Sequence, residues 1–247
     1  MTDIHSHILP NMDDGAKSPE MSCEMLMASR EQGVDSVVLS PHFYPDREAP
    51  ASFLSRRLES AKKLLSTVEE SGNSEKMPEM FLGAEVAFYE GISHTGEIEN
   101  LCIAGTDYLM IEMPFVKWSK RTVEELFRVK DSAGVQIILA HIDRYFSFFD
   151  KSTLSDLLYH DVILQTNAEA FTHFSTRRRV LPMVGSGDIK FLGSDCHNTD
   201  SRKPNISAAL TQIKKKLGED ALYDLEAYSR WIKNKALPLK KAVEIEA

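Results

Sequence analysis

The strongest constraint on the fold is a pattern that recurs along the chain: a short apolar run that stops at a polar residue. After an opening strand at the N-terminus, such runs occupy residues 35–40, 80–84, 108–111, 135–140, 161–164 and 190–194. Mostly helical segments separate them, and this alternation predicts an α/β fold with seven parallel strands. Six of the seven runs end in a residue that can bind a metal ion. In a parallel barrel all carboxyl ends lie on one face, where chemistry collects.

Helix signals fall between these runs. Ser18-Pro19-Glu20 has the N-cap, first-turn proline and acid of a helix start, and Gly33 has the residue type that follows a helix end. Residues 50–72 repeat apolar positions at a helical period. Residues 121–132 and 168–183 are predicted helices as well, and the last fifty residues are helical and charged.

Length and composition favour one globular domain over residues 1–247. The apolar fraction of 43% is enough for a full core, and α/β barrels of this length form single domains. A net charge of −8 disfavours a nucleic-acid partner. The chain has no run of eighteen apolar residues, so no membrane insertion is expected. It has no basic region followed by an apolar one, so no secretory leader is expected. Cys23, Cys102 and Cys196 are odd in number and widely spaced, which favours the cytoplasm.

The opening segment contains a histidine pair, His5 and His7. On a strand both imidazoles point to the same side, so they can chelate zinc, manganese or iron. Asp14, in the turn that follows, offers a hard oxygen ligand. Alone the pair is a weak signal, because two histidines near an N-terminus are also typical of an ordinary surface.

The other run ends supply further candidates. Together the candidate metal ligands are five histidines and four carboxylates: His5, His7, Asp14, His42, Glu85, Glu112, His141, Asp195 and His197. One divalent ion takes about four to six ligands, so nine suit two or three ions with bridging carboxylates. Nitrogen and oxygen donors without thiolate favour manganese, iron or zinc.

These residues stand in motifs that resemble the polymerase-and-histidinol-phosphatase (PHP) superfamily. More narrowly, the segment from His5 to Ser18 resembles the metal-dependent protein tyrosine phosphatases encoded with bacterial capsule and exopolysaccharide genes. The resemblance runs from residue 3 to about residue 205. The matching motifs are His5-Ser6-His7, Asp13-Asp14-Gly15, Pro41-His42, Gly83-Ala84-Glu85, Ile111-Glu112, Ala140-His141 and Ser194-Asp195-Cys196-His197.

The resemblance implies a distorted, TIM-like (β/α)7 barrel, the PHP fold, with three divalent ions, manganese first and iron or zinc as alternatives. It assigns the ligands to three groups: His5, His7, Glu85 and Asp195; Glu85 as a bridge with Glu112 and His141; and Asp14, His42 and His197. It also implies that Arg144 and Arg202 act in catalysis, together with His42.

The activity that the resemblance implies is hydrolysis of phosphotyrosine on a protein, the tail of a bacterial tyrosine kinase that controls capsule or exopolysaccharide synthesis. Three divalent ions and two arginines would hold a phosphate dianion, and metal-activated water would attack phosphorus. A small-molecule phosphatase, such as a histidinol phosphatase, would use the same site. From another class, the chain could be a metal-binding regulatory module without turnover.

Cys196 and Arg202 also match the Cys-x5-Arg spacing of cysteine-dependent phosphatases. That mechanism needs a glycine-rich loop and a low thiol pKa. This loop has no glycine, and Asp195 and Asp200 would raise the thiol pKa. We therefore interpret the spacing as coincidence.

Several aromatic residues and histidines fall outside the motifs. Phe43 and Tyr44, directly after His42, are predicted at the rim of the site. The aromatic residues in 145–149 could wall a pocket for an aromatic ring, but core packing is the expected role for most of them. The remaining histidines, which are predicted on the surface or in ordinary packing, are His94, His160 and His173.

Overall fold

The structure, a computed structural model, describes residues 1–246. Nine strands lie in this part of the chain: β1 Thr2–Ser6, β2 Ser36–Leu39, β3 His42–Phe43, β4 Glu79–Leu82, β5 Glu85–Ala87, β6 Tyr108–Glu112, β7 Gln136–Leu139, β8 Ile163–Asn167 and β9 Ile189–Gly193. The α-helices are α1 Pro19–Glu31, α2 Pro50–Glu70, α3 Lys120–Ala133, α4 Lys151–Tyr159, α5 Phe174–Gly185, α6 Ile206–Leu217, α7 Glu219–Lys235 and α8 Leu239–Glu246.

The paired strands are all parallel, which confirms the predicted α/β architecture. They form two sheets, in the orders β1-β2-β4 and β3-β5-β6-β7-β8-β9. Two short breaks, at residues 40–41 and 83–84, separate β2 from β3 and β4 from β5. If β2 and β3 are counted as one interrupted strand, and β4 and β5 as another, the nine strands occupy seven positions, as the seven runs predicted. Beyond β9, the Asp195 N–H donates to the His5 carbonyl at 2.8 Å, which connects the segment after the last strand to β1.

The breaks correct the predicted strand ends. Glu85 begins β5 and His42 begins β3, whereas the sequence pattern had put both directly after a strand. Pro41 has no N–H with which to continue the first ladder. Gly83 marks the other break, where an added Cβ would lie 2.8 Å from Val38 Cγ1. The strands thus form two linked sheets and not one uninterrupted closed sheet within residues 1–246.

The helix predictions are confirmed with one correction. Ser18 caps α1, its hydroxyl accepting the Met21 N–H at 3.3 Å. The continuous helix predicted over 168–183 is wrong, because a 3-10 turn over Ala168–Phe171 precedes α5 and His173 between them is extended. A periodic pattern does not reveal a break of two residues.

Two layers of apolar side chains build the core. The outer layer lies between the strands and the surrounding helices. The inner layer contains strand residues, one residue of α7 and the residue that directly follows this helix: Ile4, Val38, Phe81, Met110, Ile138, Phe191, Ile232 and Ala236. The Thr2 hydroxyl donates to the Ser229 carbonyl at 3.1 Å, which fixes α7 against the start of β1. The amino ends of the strands are thereby covered, and polar chemistry is left to the carboxyl ends.

The three cysteines are free and buried. Among the described residues, no helix combines the length and apolar character that crossing a membrane requires.

Candidate active site

At the carboxyl ends of the strands, all nine predicted ligands come together. The buried centre is Glu85, whose side chain is 1% exposed. Its Oε2 lies 3.2 Å from His5 Nε2 and 3.3 Å from His7 Nε2. Its Oε1 lies 3.0 Å from His141 Nε2, and that nitrogen is 3.3 Å from Glu112 Oε1. One carboxylate therefore links ligands from four separate parts of the chain.

Asp195 forms the second buried carboxylate. Its Oδ1 lies 3.4 Å from His7 Nε2 and 3.8 Å from His5 Nε2. Both predicted arginines reach it: Arg144 pairs with Oδ2, and Arg202 Nη2 lies 3.0 Å from Oδ1. The arginine side chains are 34% and 39% exposed, so their remaining donors can meet a ligand from solvent.

The third group lies on the open side of the cluster. Asp14 is 66% exposed, with Oδ1 3.4 Å from His197 Nε2 and 3.8 Å from His42 Nε2. His42 Nδ1 is also 2.9 Å from Glu85 Oε2, so His42 lies between the outer and central groups. A cavity of about 290 Å³ opens here, beside Asp14, His42 and Tyr44.

The donor geometry fits metal ions. Three sets of ligand atoms lie within 4.8 Å of one another: His7, Asp14, His42 and His197; His5, His7 and Asp195; and His42, Glu85 and Glu112. Four buried atoms of these side chains make no hydrogen bond of good geometry: His42 Nδ1, Glu85 Oε2, His141 Nδ1 and His197 Nε2. Buried polar atoms are normally satisfied, so Glu85 Oε2 and His197 Nε2, which face other ligand side chains, suit a cation. The sets differ from the predicted grouping in joining His7 to Asp14 and His42 to Glu112. They also leave Glu85 out of the set with His5, and His141 belongs to none of them.

Neighbouring hydrogen bonds orient three of the imidazoles. The Nδ1 atoms of His5, His7 and His197 donate to Gln165 Oε1, Asp13 Oδ2 and the Asp195 carbonyl, at 3.3, 2.7 and 2.9 Å. In each ring this turns Nε2 toward the cluster, where a neutral imidazole presents its lone pair. Such supporting contacts commonly fix the tautomer of metal-binding histidines.

Sequence reasoning missed the supporting residues. Asp13 also accepts the His42 N–H at 2.8 Å, so it ties the first turn to β3. Gln165 Oε1 accepts the His141 N–H at 2.6 Å, and its Nε2 donates to Asn167 at 3.0 Å. Asn167 Nδ2 donates to Asp195 Oδ2 at 2.9 Å. One feature of the sequence could have indicated Gln165 and Asn167: they are two amide side chains, two residues apart, in a strand that begins with apolar residues.

The backbone at the cluster has unusual conformations. His141 and Asp195 have φ of 31° and 52°, in the left-handed region that side chains other than glycine rarely adopt. Two glycines let the chain approach the histidine pair closely. A Cβ on Gly15 would lie 2.2 Å from the His7 carbonyl, and one on Gly193 would lie 2.5 Å from His5 Cβ. Larger residues at either position would displace the ligands.

The buried carboxylates and imidazoles shift one another's pKa values. Burial alone would raise the pKa of Glu85 and Asp195, but the surrounding histidines hold both well below their usual range. Burial alone would lower the pKa of His141, but contacts with Glu112 and Glu85 raise it to about 9. Burial and the nearby His7 lower the pKa of His197 to about 4.

Cys196 is unsuited to nucleophilic attack. Its side chain is fully buried, and burial raises the pKa of the thiol far above its ordinary value. The thiolate required for attack is therefore not formed near neutral pH. This supports the interpretation that the Cys-x5-Arg spacing is coincidence.

The aromatic predictions need one correction. Phe43 is 1% exposed and packs edge-on against Phe53, so it does not form the rim. The reason is that Phe43 and Tyr44 point in opposite directions from the end of β3. Tyr44 does stand at the margin, 5.0 Å from the His42 ring. Phe115, which the sequence did not single out, lies 6.0 Å from the His141 ring and is 48% exposed.

The other aromatic and histidine predictions agree with the structure. Tyr145 is fully buried, and its hydroxyl accepts the Met113 N–H at 3.0 Å. The three histidines outside the motifs, His94, His160 and His173, are exposed and stand outside the ligand sets.

Parallel α/β topology and a cluster of five histidines and four carboxylates define the class: an α/β protein with groups that could hold metal ions. The chain belongs to the family described as "Capsular polysaccharide synthesis, CpsB/CapC", whose model matches residues 1–229.

Individual relatives agree with this membership. The tyrosine-protein phosphatase YwqE of Bacillus subtilis is 29% identical over 243 residues, covering 91% of this chain and 88% of the relative. The tyrosine-protein phosphatase CpsB of Streptococcus pneumoniae is 26% identical over 236 residues, covering 88% and 91%.

Solved structures share the fold. A structure from work on YwqE of B. subtilis and CpsB of S. pneumoniae, described there as metal-dependent tyrosine phosphatases, has a TM-score of 0.79 at 24% identity, covering 96% of this chain and 97% of that one. A histidinol phosphate phosphatase from Lactococcus lactis has a TM-score of 0.51 at 14% identity, covering 87% and 92%.

Proposed function

We propose that this chain is a metal-dependent phosphatase that hydrolyses phosphotyrosine on a protein, and that residues 1–247 act as one domain. The single observation that carries the proposal is the convergence of the nine side chains predicted to bind metal and two arginines at one end of the strands. Family membership and relatives named as tyrosine-protein phosphatases support the same activity.

The cluster would hold three divalent ions, with manganese preferred and iron or zinc as alternatives. The ligands would be His5, His7, Asp14, His42, Glu85, Glu112, His141, Asp195 and His197. Bound divalent ions would supply a nucleophile at neutral pH by lowering the pKa of water, and would neutralise phosphate charge. Glu85 would contribute both of its carboxylate oxygens, because they face different histidines.

Arg144 and Arg202 would bind the phosphate oxygens. Both guanidinium groups pair with the buried Asp195 and are themselves partly exposed. Each keeps N–H donors that Asp195 does not use. Charge-assisted donors aimed at developing charge stabilise the transition state. His42, at the mouth of the cavity, would contribute as a ligand next to the reacting group.

Phosphotyrosine suits this site for two reasons. The ligand centre is recessed, with Glu85 and four histidines at or near zero exposure. A tyrosine ring carries its phosphate farther from the backbone than serine does, so it reaches a recessed site. A phenol leaves with a pKa of about 10, so it needs little help from a general acid. We further propose that the substrate is the tail of a bacterial tyrosine kinase acting in capsule or exopolysaccharide synthesis.

The test compares three substrates with the manganese-loaded protein. We expect a phosphotyrosine peptide to be hydrolysed with much higher kcat/KM than a phosphoserine peptide of the same sequence, and histidinol phosphate to be a poor substrate. Faster turnover of histidinol phosphate would favour a small-molecule phosphatase. No turnover of any phosphomonoester by the loaded protein would favour a regulatory metal-binding module.

The variant Cys196→Ser separates the metal mechanism from a cysteine mechanism. The buried thiol has no task in the proposed reaction, so this variant should keep most of its activity. Complete loss of activity with metal content unchanged would revive a thiolate nucleophile.

A further inference from the structure

Phe115 is an aromatic side chain presented beside the ligand cluster. It follows Glu112 by three residues, in the loop after β6, and its ring is nearly parallel to His141, with centroids 6.0 Å apart and planes at 17°. It also packs against Tyr145 at 5.3 Å. Nearly half of the side chain, 48%, faces solvent.

The loop that carries Phe115 is anchored on both sides. Met113 and Trp118 are buried, at 1% and 7% exposure. The Met113 N–H donates to the Tyr145 hydroxyl at 3.0 Å, and the Trp118 N–H donates to the Phe148 carbonyl at 2.9 Å. The Trp118 indole N–H donates to the Pro114 carbonyl at 3.0 Å, which closes the loop on itself. The structure thus holds Phe115 at a fixed position beside the site.

A single exposed aromatic residue is ordinary on a protein surface. This one differs because one face of a rigid ring is covered by the site and the rest is available to a ligand. Tyr44, at the other margin, is already engaged: the Arg47 guanidinium lies 4.2 Å from its ring centroid, and the His42 ring lies 5.0 Å away. Within residues 1–246, no cation is found over the Phe115 ring.

We propose that Phe115 is the specificity residue that packs against the aromatic ring of the substrate, so that the site selects aryl over alkyl phosphate esters. This inference rests on the proposed phosphatase function. Aromatic pairs prefer offset or edge-on contacts, and the exposed half of Phe115 permits both. An alkyl ester such as phosphoserine has no ring for this contact.

The test measures the variant Phe115→Ala with ring-bearing and ring-free probes. We expect kcat/KM for a phosphotyrosine peptide to fall about tenfold, the value of one aromatic contact with its buried area. Turnover of the matching phosphoserine peptide should stay unchanged. Competitive inhibition by phenylphosphonate should weaken to a similar extent, whereas inhibition by inorganic phosphate should not change.

Two other variants make the comparison specific. Val116→Ala removes an exposed side chain from the same loop, at 61% exposure, and should leave all four measurements unchanged. Phe115→Leu keeps an apolar side chain and should fall between wild type and Phe115→Ala. An equal loss for both peptides, or the same loss in Val116→Ala, would overturn the proposal.

Three further outcomes also overturn it. A ring-specific loss in Tyr44→Ala but not in Phe115→Ala would assign the contact to the other margin. If the loaded wild-type protein hydrolyses neither peptide, the proposed function fails and this inference fails with it. If wild type prefers phosphotyrosine and Phe115→Ala keeps that preference, only this inference fails.

Discussion

The two ends of the strands make opposite use of burial. At the amino end, Ile232 of α7 and Ala236, which follows this helix, cover an apolar layer. At the carboxyl end, Glu85, Asp195 and four of the histidines are also buried, and four polar atoms of the cluster make no hydrogen bond. Burying apolar surface stabilises a fold, whereas burying unpaired polar groups costs free energy. The first end is therefore built for stability and the second for binding cations.

This difference also separates the consequences of mutation. Changes at the amino end should lower the free energy of unfolding with little effect on the reaction. Changes at the carboxyl end should alter metal binding or turnover while most of the core remains intact. The following predictions test this division, from the largest expected effect to the smallest.

Chelation should abolish phosphatase activity and leave the fold in place. The inner and outer apolar layers do not include the nine ligands, so they persist without metal. Far-ultraviolet circular dichroism should stay native-like after EDTA, and added manganese should restore activity. Full activity in protein shown by elemental analysis to be metal-free would contradict the proposed centre.

The variants Arg144→Ala and Arg202→Ala should each lower kcat/KM by about 10²–10³-fold, the usual effect of losing one donor at developing charge. Neither residue belongs to the ligand sets, so metal content should equal that of wild type. An exposed arginine on the surface helix α5, Arg178, provides the control, and Arg178→Ala should retain full activity. Wild-type kcat/KM in either site variant would show that this arginine does not contact the phosphate.

Ile232→Ala should destabilise the protein by about 2–5 kcal/mol, the range for truncating a buried isoleucine. Ile232 is fully buried in the inner layer. Asp224→Ala, at an exposed position of the same helix, should change stability by no more than about 0.5 kcal/mol. Urea denaturation measures both, and kcat per folded molecule should be unchanged. A large loss of kcat in folded Ile232→Ala would mean that the two ends are coupled.

Asp13→Asn should weaken metal binding by about 10–100-fold, as is common when a supporting partner of a ligand is lost. Asp13 holds the His7 imidazole at 2.7 Å and accepts two backbone N–H groups, and the neutral amide offers one acceptor oxygen in place of two. Competition with a fluorescent chelator gives the affinity. Asp46→Asn, at an exposed position nearby in the sequence, should behave as wild type.

Metal affinity should rise with pH up to about 9. The pKa of His141 is raised to about 9 in the metal-free protein, so the imidazole is protonated at neutral pH and must lose its proton to bind metal. The stability of the metal-free protein should change with pH in the opposite direction. His141 contributes stability fully below its ordinary pKa of about 6.5 and loses it as pH rises toward 9. Calorimetry in buffers of different ionisation enthalpy should detect proton release on metal binding.

Much of this molecule could be predicted from local patterns. The alternation of apolar runs and helices gave the parallel α/β fold, and Ser18 and Pro19 gave the start of α1. The two-residue period of a strand put His5 and His7 on one face, and the carboxyl ends of parallel strands gathered Glu112, His141, Asp195 and His197. These inferences succeeded because strand periodicity, capping and strand direction are properties of short segments.

Other features arose only from long-range contacts. Glu85 meets His141 across 56 positions of the chain, and His5 meets Gln165 across 160. No local pattern could show that Gln165 and Asp13 support imidazoles, that His42 reaches Glu85, or that Phe115 stands beside His141. The sequence by itself determined which residue types gather at one end of the strands. Only the tertiary structure decided which atoms face one another, because those distances depend on how separate segments pack.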